Sequence, residues 1–253
     1  MGIKVNDFYR SFQFSYQINE RSQQKIEAYI EFARELSELT SQSIYLVDYS
    51  KRKFIYVSDN PILLCGRSAQ RVQEAGFMFF LKNVPDDDVR MLLKVNEAGF
   101  AFFNKQPISE RMQYSLSYDF NLMQPKGGLL LINHKIKPLL LDKTGKPWIA
   151  LCIVSSSSNA ESGHIYYTNI HQKKTYNLDI TTGKWHKIDS IRLTPKEKQI
   201  LQYSIQGITM EQMASKLKIT INTIKFHKKN IFQKLKAKNI TEAAAAAFNF
   251  HLL

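Results

Sequence analysis

Between Leu193 and Leu235 the chain reads LTPKEKQILQYSIQGITMEQMASKLKITINTIKFHKKNIFQKL, and no other stretch constrains its fold so tightly. Apolar residues recur at helical spacing in three short runs: Ile200, Leu201 and Ile205, then Met210, Met213 and Leu217, then Ile221, Ile224, Ile231 and Leu235. Each run can bury its apolar face only if the three helices pack on one another. The breaks are equally legible. Thr194 supplies an N-cap, Pro195 the first helical position and Glu197 the carboxylate of a capping box. Gly207 ends the first helix, Thr209 caps the second, and Thr220 starts the third. Two short helices joined by a tight turn form a helix-turn-helix, whose second helix enters the DNA major groove.

The third run is the groove-entering helix. With Ile224 inward and about 100° of rotation per residue, Ile231 and Leu235 also point inward. Asn222, Lys225, Phe226, Lys229 and Gln233 then fall on the opposite face, which carries no acid. Charge concentrates here as well. Residues 190 to 253 hold ten lysines and one arginine against three glutamates, which is +8 of the chain's formal +13. Such a concentration is expected of a phosphate-binding surface, and a merely solvated charged helix would not also supply the caps, the glycine and the turn.

With these residues in view, the segment resembles the LuxR-type helix-turn-helix of bacterial transcription regulators. The resemblance rests on Leu193-Thr194, Glu197, Leu201, Gly207, Ala214, Leu217, Ile219, Thr223-Ile224-Lys225, His227, Asn230-Ile231 and Lys234-Leu235. It implies that Lys225, Phe226 and Lys229 face base edges, with Gln233 on the same outer side, and that Thr223, Lys228 and Lys234 approach phosphates. Lys218 and Lys236 depart from the family pattern, standing where it commonly has glycine or another turn residue. Either the backbone differs there or two lysines adopt a left-handed conformation. After Lys238-Asn239, Thr241 is placed to cap a last helix through Ala243 to Ala247. In LuxR-type domains that helix pairs, so a homodimer on an inverted repeat is implied, with RNA polymerase as a further partner.

The other 189 residues have room for a second domain. Residues 1 to 20 mix aromatics and polar residues without a period, and Ser22 to Leu39 carries Ile26, Tyr29, Ile30, Phe32, Ala33 and Leu36 on one helical face. Residues 1 to 42 are therefore read as an N-terminal helical segment, its helix packing on its own domain or on a partner chain. The period then changes. Ile44 to Asp48 and Phe54 to Ser58 read as a hairpin, followed by short helices around Gly66 and a longer helix entered at Asp86-Asp87-Asp88. Strands at 112 to 123, 128 to 141 and 148 to 155 follow, the last two joined by the turn Asp142 to Lys146. This is an α+β domain with a five-stranded antiparallel sheet covered on one face by helices. The order resembles that of PAS sensor domains, with echoes at Tyr45 to Asp48, Leu63 to Gly66, Val84 to Asp87 and Asp142 to Gly145. Residues 164 to 188 suggest one or two extra hairpins beside the sheet, and Asp189 with Ser190 a linker. The divisions expected are therefore 1–42, a PAS-like sensor domain at 43–189, and an all-α LuxR-type domain at 190–253.

Candidates for chemistry are few. Asp86, Asp87 and Asp88 are better explained by a helix N-terminus and its dipole than by a metal. His134 lies in a strand pattern, where a histidine is more often satisfied by neighbours than a haem ligand. Cys65, in LLCGRS, lacks the residues of a flavin-reactive site and reads as a buried thiol. No catalytic constellation, metal site or phosphate loop stands out, so no enzyme is expected, and no cofactor is indicated. The element order does not fit a phosphorylated receiver domain, which leaves a small molecule, a protein or a redox change as input. No apolar run reaches the roughly 18 residues of a membrane span, and the N-terminus lacks the apolar core of a signal peptide, so a cytosolic protein without membrane contact is expected. The resulting expectation is a DNA-binding transcription regulator with a sensing front half. A sigma-like promoter factor, and an enzyme targeted by its tail, are the alternatives. The first would need promoter-melting helices, and the second a catalytic group.

Overall fold

The computed structural model describes residues 4–9, 20–188, 192–250 and 252–253. The aromatic-rich stretch 10–19 and the expected Asp189-Ser190 linker lie outside them. The chain divides into two compact units, 1–187 and 188–253.

In the first unit a 3-10 turn (Val5–Tyr9) precedes α1 (Glu20–Glu38) and the hairpin β1 (Ser43–Asp48) and β2 (Lys53–Val57). Three short helices follow, α2 (Pro61–Leu64), α3 (Ala69–Ala75) and α4 (Met78–Asn83), before the longest, α5 (Asp86–Lys105), with α6 (Ile108–Arg111) after it. Next come β3 (Tyr114–Met123), β4 (Leu129–Leu141), β5 (Pro147–Ser156), β6 (Gly163–Asn169), β7 (Lys174–Asp179) and β8 (Lys184–Ile188). The strands form one sheet in the order β2-β1-β5-β4-β3-β6-β7-β8. Its first five members, with helices inserted between β2 and β3, have the PAS-like arrangement that the sequence implies.

Two expectations need correction. The sheet has eight strands rather than five, because β6 pairs antiparallel with β3 and carries the later hairpin as a continuation. The reason is aromatic: Phe102 of α5 lies 4.7 Å from Tyr167, 4.8 Å from Tyr176 and 5.2 Å from Trp185, so β6 to β8 cover a ring that five strands would leave bare. Trp185 also donates its indole N–H to the Ala98 carbonyl at 3.1 Å. Second, helices cover both faces. Tyr45 and Val47 of β1 face the main core, whereas Ile44 and Leu46 face α1 through Ala33 and Ile30. Alternation along β1 therefore buries all six residues, which is why it reads as a continuous apolar run. Of the apolar stripe on α1, Phe32 points away and is 58% exposed.

The β4–β5 hairpin is tied to the helical layer. Asp142 Oδ1 accepts from the backbone N–H of Thr144 and of Lys146, and Gly145 closes the turn at φ +80. Buried Arg111 donates to the carbonyls of Gly145, Asn104 and Gln106, and a side chain at 145 would collide with it. Asp88 does more than face a helix dipole. Its Oδ2 accepts from the backbone N–H of Asn121 at 2.7 Å and from the Asn121 amide at 3.0 Å, fixing α5 to β3.

The second unit holds α7 (Pro195–Ile205), α8 (Met210–Leu217), α9 (Ile221–Leu235) and α10 (Ile240–Asn249). Ile200, Leu201, Met213, Ile224, Ile231 and Leu235 close its core, with Ala243 and Ala247 of α10 fully buried. Each large apolar side chain buried here contributes about 1.5–3 kcal/mol. The cap of α10 is Asn239, which accepts from the Glu242 N–H at 2.9 Å, and not Thr241, which lies inside the helix. Asn239 alone has the extended backbone that lets a side chain reach back to the first turn.

Candidate nucleic-acid interface

The interface begins with how α9 is set. Thr209 caps α8 through a capping box with Gln212, and α8 ends on Lys218 in the left-handed region at φ +53. There the Ile219 N–H reaches the Ala214 carbonyl at 3.1 Å, and Thr220 starts α9 by accepting from the Thr223 N–H. The turn is three residues long. Lys236 ends α9 in the same left-handed way, with the Ala237 N–H on the Phe232 carbonyl. The two lysines thus adopt the conformation that glycine would take, and the backbone does not change to avoid it.

With Ile224, Ile231 and Leu235 against the core, the outer side of α9 carries Asn222, Lys225, Phe226, Lys229 and Gln233, all exposed. Phe226 is 60% exposed and stands almost opposite Ile224, its ring edge-on to His227 at 5.8 Å. Along one flank runs an open trough lined by Lys225, Lys228, Lys229, Gln233, Lys236 and Lys238 over Phe232. Five ammonium groups on one concave surface form a strongly positive strip suited to a phosphate chain. Lys236 and Lys238 belong to this strip, although helical periodicity within α9 has no means of placing residues beyond the helix end.

Thr223 and Lys234 are placed otherwise. Thr223 is half-buried and its hydroxyl lies 2.9 Å from that of Thr220, within the cap. Lys234 Nζ donates to both carboxylate oxygens of Glu197, at 2.9 and 2.7 Å, and so is engaged within the domain. Glu197 is 2% exposed and also accepts from the Thr194 N–H. Burial pushes its carboxyl up, but the bonds from Lys234 and Thr194 outweigh this and hold it below the usual range.

The first unit holds a cavity of about 60 Å³ between sheet and helices. Aromatic rings dominate its wall, among them Phe8, Tyr45, Phe80, Phe103 and Tyr118, with His134 and Cys152 from the sheet. His134 is 2% exposed, and its Nε2 lies 2.6 Å from the Tyr45 hydroxyl. Desolvation lowers its pKa to about 3, so it stays neutral, and its Nδ1 is without a partner among the described residues. Burial likewise pushes the Cys152 and Tyr118 groups up. Cys65 is buried at the end of α2, and burial raises its thiol too. Among the described residues no helix is long and apolar enough to cross a membrane.

Comparison with known proteins agrees with the geometry of the second unit. Residues 192–247 match the family described as bacterial regulatory proteins, luxR family. This unit is a LuxR-type helix-turn-helix domain. The nitrate/nitrite response regulator protein NarL of Escherichia coli (strain K12) is 41% identical over 56 residues, which are 22% of this chain and 26% of that protein. The quorum sensing-dependent transcriptional regulator RpaR of Rhodopseudomonas palustris is 44% identical over 62 residues, 24% of this chain and 26% of that one. The chain thus spans about a quarter of the length of these curated relatives. Among solved structures, the phage VqmA–DPO complex aligns with 94% of this chain and 93% of its own, at 16% identity and a TM-score of 0.34.

Proposed function

We propose that the chain is a sequence-specific DNA-binding transcription regulator whose PAS-like front half, residues 43–189, senses a ligand or protein signal, and whose residues 190–253 bind the operator. One observation carries the reading: the side of α9 turned away from the core exposes Asn222, Lys225, Phe226, Lys229 and Gln233, beside a trough of five lysines. Phosphate neutralisation by the trough lysines beyond the outward ridge, Lys228, Lys236 and Lys238, supplies affinity, and the outward side chains supply sequence preference. Lys225, Phe226, Lys229 and Gln233 address bases, while Lys228, Lys236 and Lys238 address phosphates. Thr223 is held in the cap, and Lys234 serves the interface by holding α9 against Glu197.

The regulator works in the cytosol as a homodimer on an inverted repeat, meets RNA polymerase there, and performs no catalysis. Its signal acts on the cavity of the first unit, whose small volume means that a ligand must displace lining rings to enter. Selection of the full-length protein on random double-stranded DNA tests the reading. A discrete motif with two-fold symmetry is expected. Recovery of an unselected pool would overturn it. Native mass spectrometry of the same preparation tests the sensing half, with a co-purifying small molecule as the expected result.

A further inference from the structure

We propose that Phe226 reads the C5-methyl group of a thymine at one fixed position in each operator half-site. The proposal rests on the DNA-binding reading and adds the base that this position selects. Phe226 is the one large apolar side chain on the outermost ridge of α9, lying between Asn222 one turn before it and Lys229 one turn after it. At 60% exposure it leaves most of an aromatic ring in water, on a face otherwise made of charged and amide groups. Neither Phe232 nor Ile231, which face the trough floor and the core, covers it. Such exposure is unfavourable in the free domain, and it is relieved where the ridge enters the major groove.

The groove offers few apolar partners. Guanine, cytosine and adenine present donors and acceptors along their major-groove edges, whereas thymine also presents a methyl group beside its O4. A phenyl ring has no hydrogen bond to give, so against the other three edges it would desolvate polar groups without replacing their bonds to water. Against a thymine methyl it gains contact on both sides. The charge of the neighbouring lysines points to the same occupant, because the polyanionic duplex is what they hold in register. A protein docking on this ridge, either a second copy or another partner, would give Phe226 no dependence on base chemistry.

The test uses the full-length protein and its selected operator. Each thymine is replaced in turn by deoxyuridine, which lacks only the methyl group, and affinity is measured for the wild type, Phe226→Ala and Phe226→Leu. Removing one buried methyl is worth about 0.8 kcal/mol, or roughly fourfold in affinity. The wild type should lose about that at one thymine per half-site. Phe226→Ala should lose less than about twofold at the same base, and Phe226→Leu should fall between them. Thermal unfolding confirms that the variants fold, as expected for so exposed a side chain. A discrete motif with no methyl-dependent thymine, or methyl dependence that survives in Phe226→Ala, overturns the inference and leaves the DNA-binding reading standing. Loss of affinity in Phe226→Ala that is equal on every duplex overturns it in favour of a protein contact. Selection that yields no motif overturns both.

Discussion

At the scale of single residues, Glu197 does two jobs that only one of its surroundings makes visible in sequence. Its reciprocal bond with Thr194 is a local spacing of three and is legible as such. Its ion pair with Lys234 spans 37 positions and is not, since periodicity says nothing about which lysine of α9 comes to rest beside α7. Because the Glu197 carboxyl is held below its ordinary range, it contributes stability that is fully present above the unfolded value of about 4.3 and is lost as pH falls through the lowered one. Glu197→Gln should cost the second unit about 1–2 kcal/mol at pH 7, discounted for the partial exposure of Lys234, and should flatten its acid unfolding curve below pH 5. An unchanged curve would contradict the assignment. Lys218 gives the opposite sign. Left-handed backbone costs an ordinary L-residue about 1–2 kcal/mol, offset in part by the freedom glycine adds to the unfolded chain. Lys218→Gly should therefore raise the urea midpoint of the second unit by the equivalent of about 0.5–1 kcal/mol without changing the slope.

At the scale of elements, the proposed interface has two parts, the outward side of α9 and the lysine trough along its flank. Lys225→Ala or Lys229→Ala should lose about 1–3 kcal/mol on the operator and relax the preferred sequence, while Lys228→Ala or Lys236→Ala should weaken all duplexes alike and reduce the salt slope by about one. Quantitative binding at several salt concentrations separates the two patterns. The inward and outward sides of α9 follow from its 3.6-residue period, so Ile224 and Phe226 are separable by sequence alone. The cap of α10 was less legible, because Asn239 and Thr241 both have capping side chains and only the extended backbone at Asn239 decides between them. Ala243 and Ala247 turn to the core and Ala246 packs beside them, so the surface left for a partner helix is the side of Ala245 and of Phe248, which is 60% exposed. Ala245→Glu should lower affinity for the full inverted repeat by about tenfold and leave one half-site unaffected, as expected of a two-fold contact remote from the DNA. Equal effects on both targets would place no dimer contact on α10.

At the scale of the whole molecule, strands β1 to β5 and the helices between them were legible because hairpin turns and apolar runs punctuate them. What was not legible is long-range: the addition of β6 at the edge of β3, and the covering of the second face by α1. Both depend on where Phe102, Tyr167 and Trp185, or Ile44 and Ala33, meet in space, which residue spacing does not carry. The cavity beside His134 is of the same kind, since its walls come from elements far apart in the chain. On the proposed function, α9 makes the full chain a reader of DNA sequence. The most direct measurement compares the affinity of the full-length protein for its selected operator with that for a scrambled duplex of equal length and composition, at one stated salt concentration. A ratio of at least about 10³ is predicted, shrinking sharply when Lys225 and Lys229 are both replaced by alanine. Equal affinity for the two duplexes would contradict the claim.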